Sequence, residues 1–131
     1  MNSANWSRPK TLAEVANGAS STCEFFLSLR DFLHEFQNVP SREMLAQEPP
    51  LLRERFDFGA IADAYLAAVA VELSLTLGCT RPAWTHRAFR FSREPWFAAK
   101  SAKLRMCLLH ESPAGFRERN LFVSENALSV A

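Results

Sequence analysis

Glycine is scarce in this chain of 131 residues, with four positions: Gly18, Gly59, Gly78 and Gly115. Neither GxGxxG nor GxxxxGKS/T occurs, so no phosphate-cradling loop of those types is encoded. Cysteine is also sparse, and Cys23, Cys79 and Cys107 form no CxxC pair. An odd, scattered set excludes a disulfide framework and a zinc cluster, and it suits a reducing cytoplasm. Cys23 and Cys107 fall inside predicted apolar helices and read as buried structural thiols. Cys79 follows Gly78 and has no evident partner. Histidine is equally uninformative: His34-Glu35 opens like a zincin helix, but Asn38 stands where the second His is required. His86 and His110 are isolated and read as surface or half-buried structural residues. No catalytic residue, metal site or cofactor is therefore expected. A long apolar run is missing too. The most apolar window, Tyr65 to Leu77, is interrupted by Glu72 and falls short of the ~20 residues that span a bilayer. Met1 to Lys10 lacks the apolar core of a signal peptide, so a soluble, cytoplasmic protein is expected.

What is present is apolar and aromatic. Hydrophobic residues make up 48% of the chain, Phe alone occurs 11 times, and the net charge is only +1. Such a chain folds rather than staying disordered, and its length fits a single domain, residues 1–131. Surface scaling for this mass predicts roughly 7,000 Å² of accessible surface when folded.

The periodicity is helical almost throughout. Thr11-Leu12-Ala13-Glu14 has the spacing of a capping box, with Gly18 as a stop, so residues 1–20 read as an N-terminal arm or a short capping helix. Ser21-Thr22-Cys23-Glu24 is a second capping box. It opens a helix to about Gln37, whose residues Phe25, Phe26, Leu29, Phe32, Leu33 and Phe36 share one face. Ser41 caps a short helix that Pro49-Pro50 ends. Asp57 is a candidate N-cap for the strongest helix, Phe58 to Leu77, with Gly78 at its end. Its core stripe is Ile61, Tyr65, Leu66, Val69, Leu73 and Leu77. After Gly78 the alternation at Phe89-Arg90-Phe91 predicts a short extended piece. Ser101 caps a helix carrying Leu104, Cys107, Leu108 and His110. Ser112-Pro113 supplies the N-cap and first residue of another, Leu121-Phe122-Val123 is extended, and Ser124 caps a last turn. The fold class expected is all-α: a compact single-domain bundle of about five to seven helices with a minor short strand pair in its C-terminal third.

Charge is divided along the chain. Residues 1–80 carry six basic and ten acidic side chains, while residues 81–131 carry nine and four. The basic excess is mostly arginine, whose planar fork recognises carboxylate and phosphate geometry. Between Trp84 and Phe97 the cations Arg87, Arg90 and Arg93 interleave with Trp84, Phe89, Phe91 and Trp96. Three readings fit this segment. It binds a protein, because Trp and Arg are enriched in interface hot spots. It binds single-stranded nucleic acid by stacking and phosphate pairing. Or it packs a loop onto the helices while the arginines solvate it. Near-neutral total charge argues against a dedicated nucleic-acid binder. Thr11 to Ala16 looks like the start of a helix-turn-helix, but the next helix offers Glu24, Phe25 and Phe26 where phosphate-facing residues belong.

Glu94-Pro95-Trp96-Phe97, Glu111-Ser112-Pro113, Phe116-Arg117 and above all Arg119-Asn120-Leu121-Phe122-Val123-Ser124 with Asn126-Ala127-Leu128 carry a further signal. Together with Pro49-Pro50 and Ala64-Tyr65-Leu66-Ala67 they resemble a family of small bacterial proteins encoded beside nucleotidyltransferase-like toxins of the abortive-infection type. The likeness runs from about Ser28 to Ala131. It implies a non-enzymatic antitoxin whose partner is the toxin encoded by the adjacent gene. It carries over no catalytic residue. Nucleotidyltransferases hold metal ions with carboxylates, so their empty cleft is strongly negative, and an arginine-rich aromatic segment suits it. The candidate partner-binding residues are Trp84, Arg87, Arg90, Arg93 and Trp96, followed by Arg117 and Arg119. The alternative is a nucleic-acid-binding or regulatory protein that uses segment 84–97.

Overall fold

A computed structural model describes residues 8–129. The first residues of the expected N-terminal arm and the last two of the expected domain lie outside the described residues. Helices dominate, as expected: α1 (Leu12–Asn17), α2 (Thr22–Asn38), α3 (Glu43–Ala46), α4 (Gly59–Leu77), α5 (Ala102–Glu111) and α6 (Ala114–Arg117). Two strands, β1 (Trp96–Phe97) and β2 (Leu121–Phe122), pair in parallel, with Trp96 opposite Leu121 and Phe97 opposite Phe122. The accessible surface is 7617 Å², close to the size expectation.

Helix starts follow the sequence signals where a hydroxyl can reach back. The Thr11, Ser21 and Ser101 side chains each accept a hydrogen bond from the N–H three residues on. Glu14 and Glu24 complete the boxes one residue further out, accepting from the N–H of Lys10 and of Ser20. The start of α4 differs from the expectation. Phe58 occupies the N-cap without a side-chain bond, and Asp57 is exposed. Close packing sets this start: a Cβ on Gly59 would fall 1.8 Å from the Leu52 carbonyl oxygen. The chain therefore crosses the first turn of α4 at glycine contact distance. Gly78 ends the helix in the left-handed region at φ 71°.

α4 is the axis of the core. Ala62 to Val71 are buried without a break, so the middle of the helix is covered on all sides, while Leu75 and Thr76 near its end are exposed. Over 19 residues it would pass by length and composition for a membrane span, longer than the apolar window alone suggested. The fold covers it, with 67% of the apolar window buried. Tyr65 stands in an aromatic cluster, edge-on to Phe25, Phe26, Phe116 and Trp96 at 5.0–6.3 Å.

Other local expectations are overturned too. Phe89-Arg90-Phe91 is not extended: Ala88–Arg90 forms a 3₁₀ turn, following another at Ala83–His86. The alternation misled because Arg90 points inward and the aromatics lie half-buried. Ser112 does not cap α6, whose N-cap is Pro113. Its hydroxyl instead accepts from the Val123 N–H at 2.9 Å. Cys23 and Cys107 are exposed rather than buried: Cys23 lies off the Phe25–Phe36 stripe, and α5 buries Leu108 alone.

Candidate functional site: an exposed basic and apolar surface in the C-terminal third

The segment from Cys79 to Phe97 is strapped across α4 by arginines. Arg90 is fully buried. Its guanidinium donates to the carbonyls of Asp63 (3.3 Å) and Pro49, and to Glu48 Oε2 at 3.3 Å. The Asp63 carboxylate lies 3.7 Å away. Trp84 and Phe89 present their rings to the same cation at 5.0 and 5.6 Å. Asp63 is itself enclosed, accepting from the Leu52 N–H at 2.7 Å and from Arg53 Nε at 3.1 Å. Burial pulls the Arg90 pKa below its ordinary value, and the Asp63 and Glu48 carboxylates work against that pull. Trp84 is buried and donates Nε1–H to the Leu45 carbonyl at 3.0 Å.

Arg119, from beyond α6, repeats the arrangement against the neighbouring residues Thr85 and Phe91. Fully buried, it donates to the carbonyls of Gly115 (3.1 Å) and Thr85 (2.6 Å) and pairs with Glu118. Phe91 lies under its guanidinium at 4.5 Å. Burial lowers its pKa too, opposed by Glu118. Burial also works against the Glu118 charge, but hydrogen bonds from Arg119 and Arg81 outweigh it and hold the carboxyl below the usual range.

The seven residues singled out from sequence therefore separate by environment. Trp84, Arg90 and Arg119 belong to the interior. Trp96 is half-buried against Phe58 and Tyr65. Arg87 is exposed but paired with Glu48 at 2.9 Å. Only Arg93 and Arg117 are both exposed and without a carboxylate within 4.0 Å among the described residues.

Sequence reasoning missed the surface beside this strap. α5 exposes Leu104 (56%), Met106 (62%) and Leu109 (45%). Lys100, Lys103 and Arg105 are exposed alongside and likewise lack a carboxylate partner among the described residues. A signal did exist, because the run Met106-Cys107-Leu108-Leu109 surrounds a helix with apolar side chains that one buried face cannot absorb. Between α5 and β1 lies an open groove of about 640 Å³ that contains Lys100 and Arg105. Among the described residues no three His, Cys, Asp or Glu side chains gather as a metal site. The arrangement suits non-covalent docking of an acidic surface, with the Met106 and Leu109 side chains as apolar anchors flanked along the helix by Lys103 and Arg105. No family model matches the chain, and neither a curated protein nor a solved structure does.

Proposed function

We propose that this chain is a non-enzymatic, antitoxin-like protein that binds and neutralises a nucleotidyltransferase-type toxin in the bacterial cytoplasm. The resemblance of the C-terminal third supplies the partner class. The observation that carries the binding role is α5, a helix exposing Leu104, Met106 and Leu109 beside Lys100, Lys103 and Arg105. Isolated exposed apolar residues need no explanation, but Met106 and Leu109 stand one turn apart on the same face of a short helix and mark an interaction surface, with Leu104 on a different face. Among the described residues these cations have no carboxylate partner, so a carboxylate-lined cleft complements them. Docking shifts accordingly from the buried Arg90 and Trp84 to α5, with Arg93 and Arg117 as further exposed cations.

Co-expression with the product of the adjacent gene should yield a stable stoichiometric complex and restore growth. Met106→Glu with Leu109→Glu should keep the melting temperature, since both side chains are solvent-facing, while binding weakens at least about tenfold. A folded double variant that still neutralises would overturn the assignment of α5. Salt-sensitive RNA or DNA binding by the isolated protein, without a toxin complex, would favour the nucleic-acid alternative.

A further inference from the structure

In a parallel pair, successive residues of a strand direct their N–H and C=O groups to opposite edges. Trp96 N–H donates to the Asn120 carbonyl at 2.9 Å and Ala98 N–H to the Phe122 carbonyl at 3.0 Å. Trp96 and Ala98 therefore face β2, and the N–H and C=O of Phe97 face the other way. No described residue hydrogen-bonds either group. The outer edge of β2 is covered by contrast, because Leu121 is fully buried and Ser112 Oγ takes the N–H of Val123 just beyond it. One edge of the sheet is thus buried in the fold, and the other, at the half-buried Phe97, is open.

The open edge borders the groove beside α5. Phe97 lines it, stacked on Phe122 at 4.8 Å and overlaid by the Arg105 guanidinium at 5.1 Å. Arg105 is held there by its Nε–H, which donates to the Ala99 carbonyl at 3.0 Å. Lys100 is exposed in the same groove. Neither cation meets a carboxylate among the described residues.

We infer that this edge accepts an extended acidic segment of the protein partner as a third strand, its backbone pairing with Phe97 and its carboxylates meeting Lys100 and Arg105. The inference rests on the protein-binding reading above and names the mode of recognition. An unpaired donor and acceptor on one strand residue match a peptide backbone, which β-augmentation uses for affinity while side chains give specificity. Flanking cations ordinarily protect an exposed edge from indiscriminate pairing. Here the same charges admit an acidic strand and repel a basic one.

The test uses the full chain and a short fluorescein-labelled peptide of alternating Glu and Val, followed by fluorescence anisotropy. Saturable binding is expected, weakened by about tenfold when Lys100→Glu reverses one flanking charge. Methylating the central peptide nitrogens, which removes backbone donors and leaves the protein untouched, should abolish it. Binding indifferent to N-methylation would overturn the inference, and so would no saturable binding up to about 1 mM peptide. Amide exchange of the protein in complex with the adjacent gene product separates the two proposals. A stable complex that leaves the Phe97 amide as fast as in the free protein removes the edge and keeps the protein-binding role. N-methylation-sensitive peptide binding with no toxin complex keeps the edge and removes the antitoxin role.

Discussion

Arg90 shows what a buried cation does in a chain of modest size. Its charge is compensated by Asp63, Glu48 and two carbonyls, while Trp84 and Phe89 fill the space around it. Its Nε, like that of Arg119, has no hydrogen-bond partner among the described residues, so the compensation is strong but incomplete. A buried pair of this kind contributes little over well-packed apolar residues, yet removing one partner strands the other. Arg90→Ala is therefore expected to destabilise by ~3–5 kcal/mol, leaving Asp63 and the Pro49 carbonyl with one donor fewer. Arg93→Ala, three residues along the strap and exposed, should stay within about 0.5 kcal/mol. Urea denaturation of the two variants checks the contrast. A loss under about 1 kcal/mol for Arg90→Ala would mean that the strap does not depend on this cation. Reversing Arg87, Arg90 and Arg93 together would confound binding with folding, so a binding test must leave Arg90 in place.

At the scale of the element, legibility tracked the range of the interaction. Thr11, Ser21 and Ser101 act within one helical turn, and each caps as its spacing predicts. The α2 stripe was equally readable, because Phe25, Leu29, Phe32, Leu33 and Phe36 are buried by a period belonging to the helix itself. The start of α4 was not readable from Asp57, because the determining contact joins Gly59 to Leu52 and Arg53. Nothing in local spacing announces that approach. Segment 84–97 was located as the chemically unusual stretch, but its arginines could not be sorted from sequence. Counter-ions at Glu48 and Asp63 lie 42 and 27 positions from Arg90, and only the fold brings them together. Gly59→Ala tests the long-range contact directly. A methyl group 1.8 Å from a carbonyl oxygen and 2.8 Å from the Arg53 Cα cannot be accommodated without moving backbone. Although alanine favours helix by about 1 kcal/mol over glycine, the variant should be less stable by ~1–3 kcal/mol, as overpacking usually costs. A Gly59→Ala protein that melts higher than the parent would mean that the chain does not cross α4 so closely.

Across the whole molecule, one aromatic cluster joins parts distant in sequence. Tyr65 of α4 meets Phe25 and Phe26 of α2, Trp96 of β1 and Phe116 of α6. Its ionisation therefore reports on whether those elements remain assembled. Burial raises the Tyr65 pKa from its ordinary value of 10.0 to about 12, because a phenolate in this setting would lose its hydration. The folded state thus holds the phenolic proton through a range in which the unfolded chain releases it. Stability from this source is unaffected below pH about 10 and declines as pH rises from about 10 to about 12. Two pH units of difference correspond to roughly 2–3 kcal/mol once the upper limit is passed. Denaturation midpoints measured at intervals above pH about 9 should fall accordingly in the parent protein. Tyr65→Phe keeps the ring and removes the titrating group, so its alkaline decline should be shallower by that amount. Parallel curves for parent and variant would show that Tyr65 ionises freely while folded, and that the cluster does not enclose it.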